Sequence, residues 1–262
     1  MSLKTILAAA AFALAAAGAG SASAETVKIG VTPGPHAEIL EQVKPIAHAK
    51  GLDIEIVEFS DYVVPNAALD SGELDANSFQ HEPYLVNEIE KRGYRISKVA
   101  NTVTFPIGIY SKKIKAIGEL RDGAKVGIPN DPTNGGRVLL LLQSAGLIKL
   151  ADGVGLKPTV LDITANPKKL DIVELDAAQL PRSLDDTDIS AINTNYAVEA
   201  GLDPAKDAIL REAADGPYVN IIAVQTARKD EPWVKILIDS YHTDAIKQFV
   251  QTRFKGAVVA GW

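Results

Sequence analysis

One opening occurs twice in this chain, and it narrows the fold class more than any other feature. Lys28-Ile29-Gly30-Val31-Thr32-Pro33 is followed, 97 positions on, by the similar Lys125-Val126-Gly127-Ile128-Pro129. Each is a short apolar run, suited to a strand buried on both faces, that stops at a proline. The first predicts a helix around Ala37 to Lys50, ended by Gly51, and then a strand from Asp53 to Phe59. The second predicts a helix from Pro132 to Ala145, ended by Gly146, and then a strand from Thr159 to Ile163. Two β-α-β units so far apart predict an α/β chain of two lobes, each with a largely parallel sheet.

Two β-branched and aromatic runs, Val99 to Tyr110 and Tyr218 to Val224, are long enough to leave one lobe and enter the other. They are expected as paired crossover strands, with lobe 1 at 25–107 and 222–262 and lobe 2 at 108–221. Two edge strands in one larger domain would produce the same runs. The C-terminal part is helical: Asp230 and Pro232 open a helix through Ser240, and Thr243 caps another to Phe254. Ile236, Leu237 and Tyr241 fall on one stripe, as do Ile246, Phe249 and Val250, and such stripes are core.

The N-terminus has one cation, Lys4, then an apolar run from Ile6 to Ala17 and small residues ending Ala22-Ser23-Ala24. This pattern predicts a secretory signal peptide over 1–24, and the run is too short to span a membrane. Export would leave a chain with 26 Lys+Arg against 33 Asp+Glu, a balance of −7, which argues against a nucleic-acid partner. Cysteine is absent, which excludes disulfides, thiolate metal sites, a cysteine nucleophile and lipid attachment through a cysteine of this sequence. The expectation is a soluble exported protein without a direct membrane anchor.

The stretch Lys125 to Gln143 reads as a strand, a polar loop and a helix with Asp131 as N-cap and Pro132 in its first turn. A helix N-terminus with Arg137 close behind it is a receptor for a small anion, since free N–H groups and a guanidinium fork both suit a carboxylate. A capped surface helix with a solvated arginine is the alternative. The segment Asp75 to Tyr84 gathers Phe79, His81 and Tyr84 around Pro83, which suits an apolar slot with polar tips. Packing around a loop would also explain it, and the segment is expected to leave a strand at the edge of the first lobe. Asn193 is expected at a strand's C-terminal end before a helix capped by Thr194 or Asn195, where open α/β sheets bind ligands. Asn220 is a polar residue in an apolar strand, and its amide needs a partner from a ligand or a nearby loop. His36, His48, His81 and His242 show no paired metal spacing, and no GxSxG elbow, P-loop or GxGxxG fingerprint occurs. No metal, no cofactor and no enzymatic activity are expected.

Together the strings SDYVVPNAALDSGELDANSFQHEPYL, PIGIYSKKIK, PNDPTNGGRVLLLLQSAGLIKL, LPRSLDD, INTNYA and GPYVN closely resemble the methionine-binding NlpA/MetQ family of ABC-transporter substrate-binding proteins. The resemblance runs from Val27 to Trp262. It implies a two-lobe periplasmic-binding-protein fold (type 2-like) with two crossover strands, which closes on methionine and delivers it to the permease and ATPase of an ABC importer. It assigns Tyr62, Phe79, His81 and Tyr84 to the side-chain pocket, and Arg137, Asn193 and Asn220 to the carboxylate and amine. Many members are lipoproteins held by an acylated cysteine; this sequence has none, so a freely diffusing periplasmic protein is expected. The implied ligand is methionine, L or D, or a close analogue; the alternative is another amino acid or a methionine-containing dipeptide.

Overall fold

Val27, Ile29 and Val31 are each at most 1% exposed and share one face of the first strand, while Lys28 between them is exposed. That face packs on Ile39, Leu40, Val43 and Ala47, which recur at helical spacing along the next element. The computed structural model describes residues 24–262, so the expected leader, apart from Ala24, lies outside them.

In chain order the elements begin β1 (Glu25–Val31), α1 (Pro35–His48), β2 (Leu52–Glu58), α2 (Val64–Ser71), β3 (Ala76–Asn77), α3 (Glu82–Arg92) and β4 (Ile96–Thr104). They continue with β5 (Gly108–Tyr110), β6 (Lys125–Pro129), α4 (Pro132–Ser144), β7 (Lys149–Leu150), β8 (Ile163–Ala165), β9 (Asp171–Leu175) and α5 (Leu180–Ser183). The last are β10 (Ile189–Ile192), α6 (Thr194–Glu199), β11 (Leu210–Arg211), β12 (Val219–Gln225), α7 (Pro232–Tyr241), α8 (Asp244–Phe254) and β13 (Val259–Ala260).

The strands form two main sheets. The first has the order β13-β4-β12-β3-β1-β2 and the second β11-β5-β10-β6-β9. Around β1 and around β6 the pairing is parallel, as the repeated opening predicts. Elsewhere it is antiparallel, because β4, β5, β11 and β12 belong to the stretches that carry the chain between the sheets. The sheets are therefore mixed rather than largely parallel.

The chain leaves the first sheet after Thr104, enters the second at Gly108, and returns between Arg211 and Val219. The two passages touch, with Glu212 N donating to Ile107 O at 3.0 Å. β12 lies in the first sheet along its whole length, from three residues before the expected boundary at 222. Each sheet has its own core. One gathers β1, α1, α7 and α8, and the other centres on Ile107, Val126, Ile128, Val138 and Ile189. The stripes Leu237–Tyr241 and Ile246–Val250 lie in the first of these.

Two expectations fail for local reasons. Thr159 to Ile163 is not the parallel partner of β6. Thr159 and Asp162 form a capping box that winds 160–162 into a single tight turn, and Leu161 is 91% exposed. Ile163–Ala165 pairs instead with β7 in a small antiparallel ribbon, and β9 takes the place beside β6. The strand before Phe79 is not at an edge either, since β3 is flanked by β12 and β1. Among the described residues no helix is long and apolar enough to cross a membrane.

Candidate functional site

Asp131 caps α4, as its position before Pro132 predicts: its Oδ1 accepts from the amides of Thr133 at 3.2 Å and Asn134 at 2.8 Å. The helix can start this close to β6 because the next residues are glycines. A Cβ on Gly135 would lie 2.7 Å from the Pro129 carbonyl oxygen, so any side chain there would force the helix away from the strand. The capping carboxylate also changes the expected chemistry. This helix end already holds an anion of its own and is not a vacant anion receptor.

Arg137, one turn further along, is 3% exposed and is committed to the two passages between the sheets. Its Nε lies 3.0 Å from both Glu212 carboxylate oxygens, its Nη2 bonds Glu212 and also donates to Phe105 O at 2.8 Å, and Tyr218 stacks 4.3 Å from it. The guanidinium fork expected to take a ligand carboxylate is therefore largely occupied, and Nη1 takes no part in these bonds. The sequence reading misses Glu212 because 75 positions separate it from Arg137.

On the first sheet, Phe79, Gln80 and His81 sit in the loop between β3 and α3. A buried amide network fixes that loop: Gln80 exchanges hydrogen bonds with Asn66 at 2.8 and 2.6 Å, and Asn77 Nδ2 donates to Asn66 Oδ1 at 2.9 Å. Every member is paired, so the loop is held rigidly. His81 is the N-cap of α3, its Nδ1 accepting from Tyr84 N at 3.2 Å. Nε2 must then carry the proton, and it donates to Asn134 Oδ1 at 3.2 Å. Burial, helped by the Arg137 charge, lowers the His81 pKa to about 3, so the ring is neutral near pH 7.

The aromatic residues form a wall. The Tyr62 ring centroid lies 6.0 Å from Phe79, 6.3 Å from Tyr84 and 5.0 Å from Tyr196. The Tyr84 hydroxyl donates to Tyr62 O at 2.9 Å, and the Tyr62 hydroxyl donates to Asn195 Oδ1 at 2.6 Å. Burial holds both phenols well above their ordinary pKa, so they remain neutral donors.

Asn193 is itself the N-cap residue of α6, in place of the expected Thr194 or Asn195, and no side chain caps that helix. Its backbone closes the first helical bond, from Ala197 N, which frees the amide group to point elsewhere. Nδ2 donates to Asn134 Oδ1 at 3.0 Å, and Oδ1 is buried without a partner among the described residues. Asn195 Nδ2 is likewise buried and unpartnered. Asn220 lies on β12 in a single antiparallel bridge with His81, and it is 5% exposed.

All seven expected residues, Tyr62, Phe79, His81, Tyr84, Arg137, Asn193 and Asn220, line one narrow cavity between the two sheets. So do His36, Phe105, Asn134 and Asn195, which the sequence reading does not assign. Asn134 and Asn195 carry a sequence signal, because each stands within the first three residues of a helix that follows a strand. The cavity therefore brings together an aromatic wall, unmet amide groups and the first turns of four helices, α1, α3, α4 and α6, of which α3 and α4 are already capped by side chains. Among the described residues no group of three or more His, Asp or Glu could hold a metal ion.

Known proteins resemble this chain in sequence and in fold. A family model described as NlpA lipoprotein matches residues 27–262. The D-methionine-binding lipoprotein MetQ of Escherichia coli (strain K12) is 52% identical over 239 residues, covering 90% of this chain and 88% of that protein. The probable D-methionine-binding lipoprotein MetQ of Vibrio cholerae is 51% identical over 263 residues, covering all of this chain and 98% of its own. The structure of a nutrient binding protein from Burkholderia cenocepacia bound to methionine superposes with a TM-score of 0.88 at 52% identity, covering 90% of this chain and all of that one. The two sheets with their helices are accordingly the two lobes of a periplasmic-binding-protein fold. By the span of the family match and the identity to its members, this chain belongs to the NlpA lipoprotein family.

Proposed function

We propose that the protein is a substrate-binding protein of amino-acid uptake that captures methionine between its lobes and delivers it to an ABC importer. The observation that carries this reading is the meeting, in one cavity, of the Tyr62, Phe79 and Tyr84 rings with unmet amide groups of Asn193 and Asn195. A free amino acid has matching parts. A polarisable thioether suits the rings, the ammonium suits Asn193 Oδ1, and the carboxylate suits Arg137 Nη1 and amide N–H groups. The methionine held by the Burkholderia protein supports the same assignment.

Charge-assisted hydrogen bonds contribute about 1.5–3 kcal/mol each, and burial of the side chain roughly another 1.5–3. Contacts from both lobes favour the closed form, and the lobes turn about residues 105–107 and 212–218, where the chain passes between them. The ligand leaves unchanged; the chain acts as a carrier. Relatives bear the name lipoprotein, whereas these 262 residues contain no cysteine, and we assign the protein to the periplasm as a freely diffusing carrier.

Isothermal titration with L-methionine, D-methionine, leucine and glycyl-methionine tests the ligand. Saturable binding of a methionine enantiomer, at least tenfold tighter than of leucine, is the expected result. No heat with either enantiomer would overturn the assignment. Stimulation of the importer's ATPase in vesicles by loaded protein, and not by empty protein, tests delivery.

A further inference from the structure

One part of the cavity wall is left without a task by the contacts described so far: the first turn of α1. His36, its second residue, is 3% exposed, lines the cavity and leans on Phe105 with ring centroids 4.6 Å apart. Its Nδ1 is buried and has no hydrogen-bond partner among the described residues. A buried polar atom left unmet is costly, which separates this residue from an ordinary core histidine.

The backbone beside it is also unmet. α1 is a helix of 14 residues with Gly34 at its N-cap, and no side chain caps it. Its first backbone bond runs from Glu38 N to Gly34 O, and the amides of His36 and Ala37 make no backbone hydrogen bond among the described residues. The contrast with its neighbours is direct, since α3 is capped by His81 and α4 by Asp131. The opening of α1 also reaches the second lobe. A Cβ placed on Gly34 would sit 3.8 Å from the Asn195 carbonyl oxygen.

We propose that His36 and the uncapped first turn of α1 form a second subsite of this cavity, which takes the carboxylate of the bound amino acid opposite Arg137. The inference rests on the amino-acid reading given above. The positive end of a long helix and its free amides select an anion rather than an ammonium group. Arg137 alone is poorly supplied for the task, because Nε and Nη2 already serve Glu212 and Phe105. His36 is neutral near pH 7, its pKa lowered to about 3 by burial, and in the tautomer that carries the proton on the unmet Nδ1 it presents one N–H donor to the carboxylate. Bound between the two lobes, the carboxylate becomes the missing cap of α1.

The test compares L-methionine with L-methioninamide, which keeps the side chain and the ammonium but has no carboxylate. Titrations use the wild type, His36→Phe, which retains ring packing on Phe105, and His36→Gln, which retains an N–H donor. The expected result is a loss of about tenfold or more in methionine affinity for His36→Phe, a much smaller loss for methioninamide, and partial recovery in His36→Gln. The ratio of the two affinities then falls at least about fivefold in His36→Phe, which packing alone would not produce. An unchanged ratio in both variants, with the wild type binding methionine, overturns this inference and leaves the proposed function standing. A wild type that binds neither compound overturns both. Should His36→Phe melt early, the ratio in His36→Gln decides: a lowered value supports the subsite, and a value equal to wild type overturns it.

Discussion

The Arg137 guanidinium meets the Glu212 carboxylate edge-on, with Nε 3.0 Å from each oxygen, and so ties α4 of the second lobe to the returning passage of chain. Arg137→Ala is predicted to weaken methionine binding at least about tenfold and also to lower stability by about 3–5 kcal/mol, because it strands a half-buried carboxylate. The double variant Arg137→Met with Glu212→Gln should regain most of the stability and none of the affinity. Urea unfolding and calorimetry on the two proteins check the separation, and a double variant that binds like wild type would remove Arg137 from the site.

Asn220 makes no side-chain hydrogen bond among the described residues, while its backbone belongs to β12. Asn220→Ala should therefore cost about 1.5–3 kcal/mol of methionine affinity and less than about 1 kcal/mol of stability. An unchanged far-UV spectrum with an unchanged dissociation constant would contradict the assignment.

Tyr62 and Asn195 join the lobes by one hydrogen bond of 2.6 Å, and Tyr196 donates to Ser60 O at 3.1 Å beside it. Tyr62→Phe keeps the ring and deletes the first bond, so affinity should fall by about 0.5–1.5 kcal/mol, mostly through faster release. Lys157 and Glu90 also face each other across the lobes, at 3.0 Å, but both are exposed. Lys157→Gln should change affinity by less than about 1 kcal/mol, and stopped-flow release rates distinguish the two variants.

Burial lowers the pKa of both His36 and His81 from 6.5 to about 3. The unfolded chain therefore takes up protons near pH 6.5 that the folded chain refuses. Their contribution to stability is complete above pH 6.5 and drains away as pH falls toward 3, by up to about 1.4 kcal/mol per pH unit for each ring. Urea midpoints at pH 7, 6 and 5 should fall in that order, and His81→Gln should flatten the decline. A wild-type profile level between pH 6 and 5 would show that the rings are not held neutral.

Much of this was legible in the sequence where a local pattern decides the outcome. The twin openings at Lys28 and Lys125 read correctly because a short apolar run, a proline and a helical stripe are local signals. Phe79, His81, Tyr84 and Asn220 stood out by residue type, and the resemblance grouped them with residues from the other lobe. Long-range pairing was hidden. Glu212 looks like any surface acid until it meets Arg137, and Ile163 joins β7 rather than β6 because a capping box from Thr159 to Asp162 outweighs an apolar run. His36 was hidden for a different reason: a single histidine in a first helical turn carries no spacing to read.

The first turn of α1 reaches the cavity without a side-chain cap, and the attraction it exerts on an anion comes from peptide groups, which have no proton to gain or lose as surroundings turn sour. Grip and scaffold should therefore part company in mild acid. The carrier would go on loading its cargo at nearly constant strength while its own margin against collapse narrows.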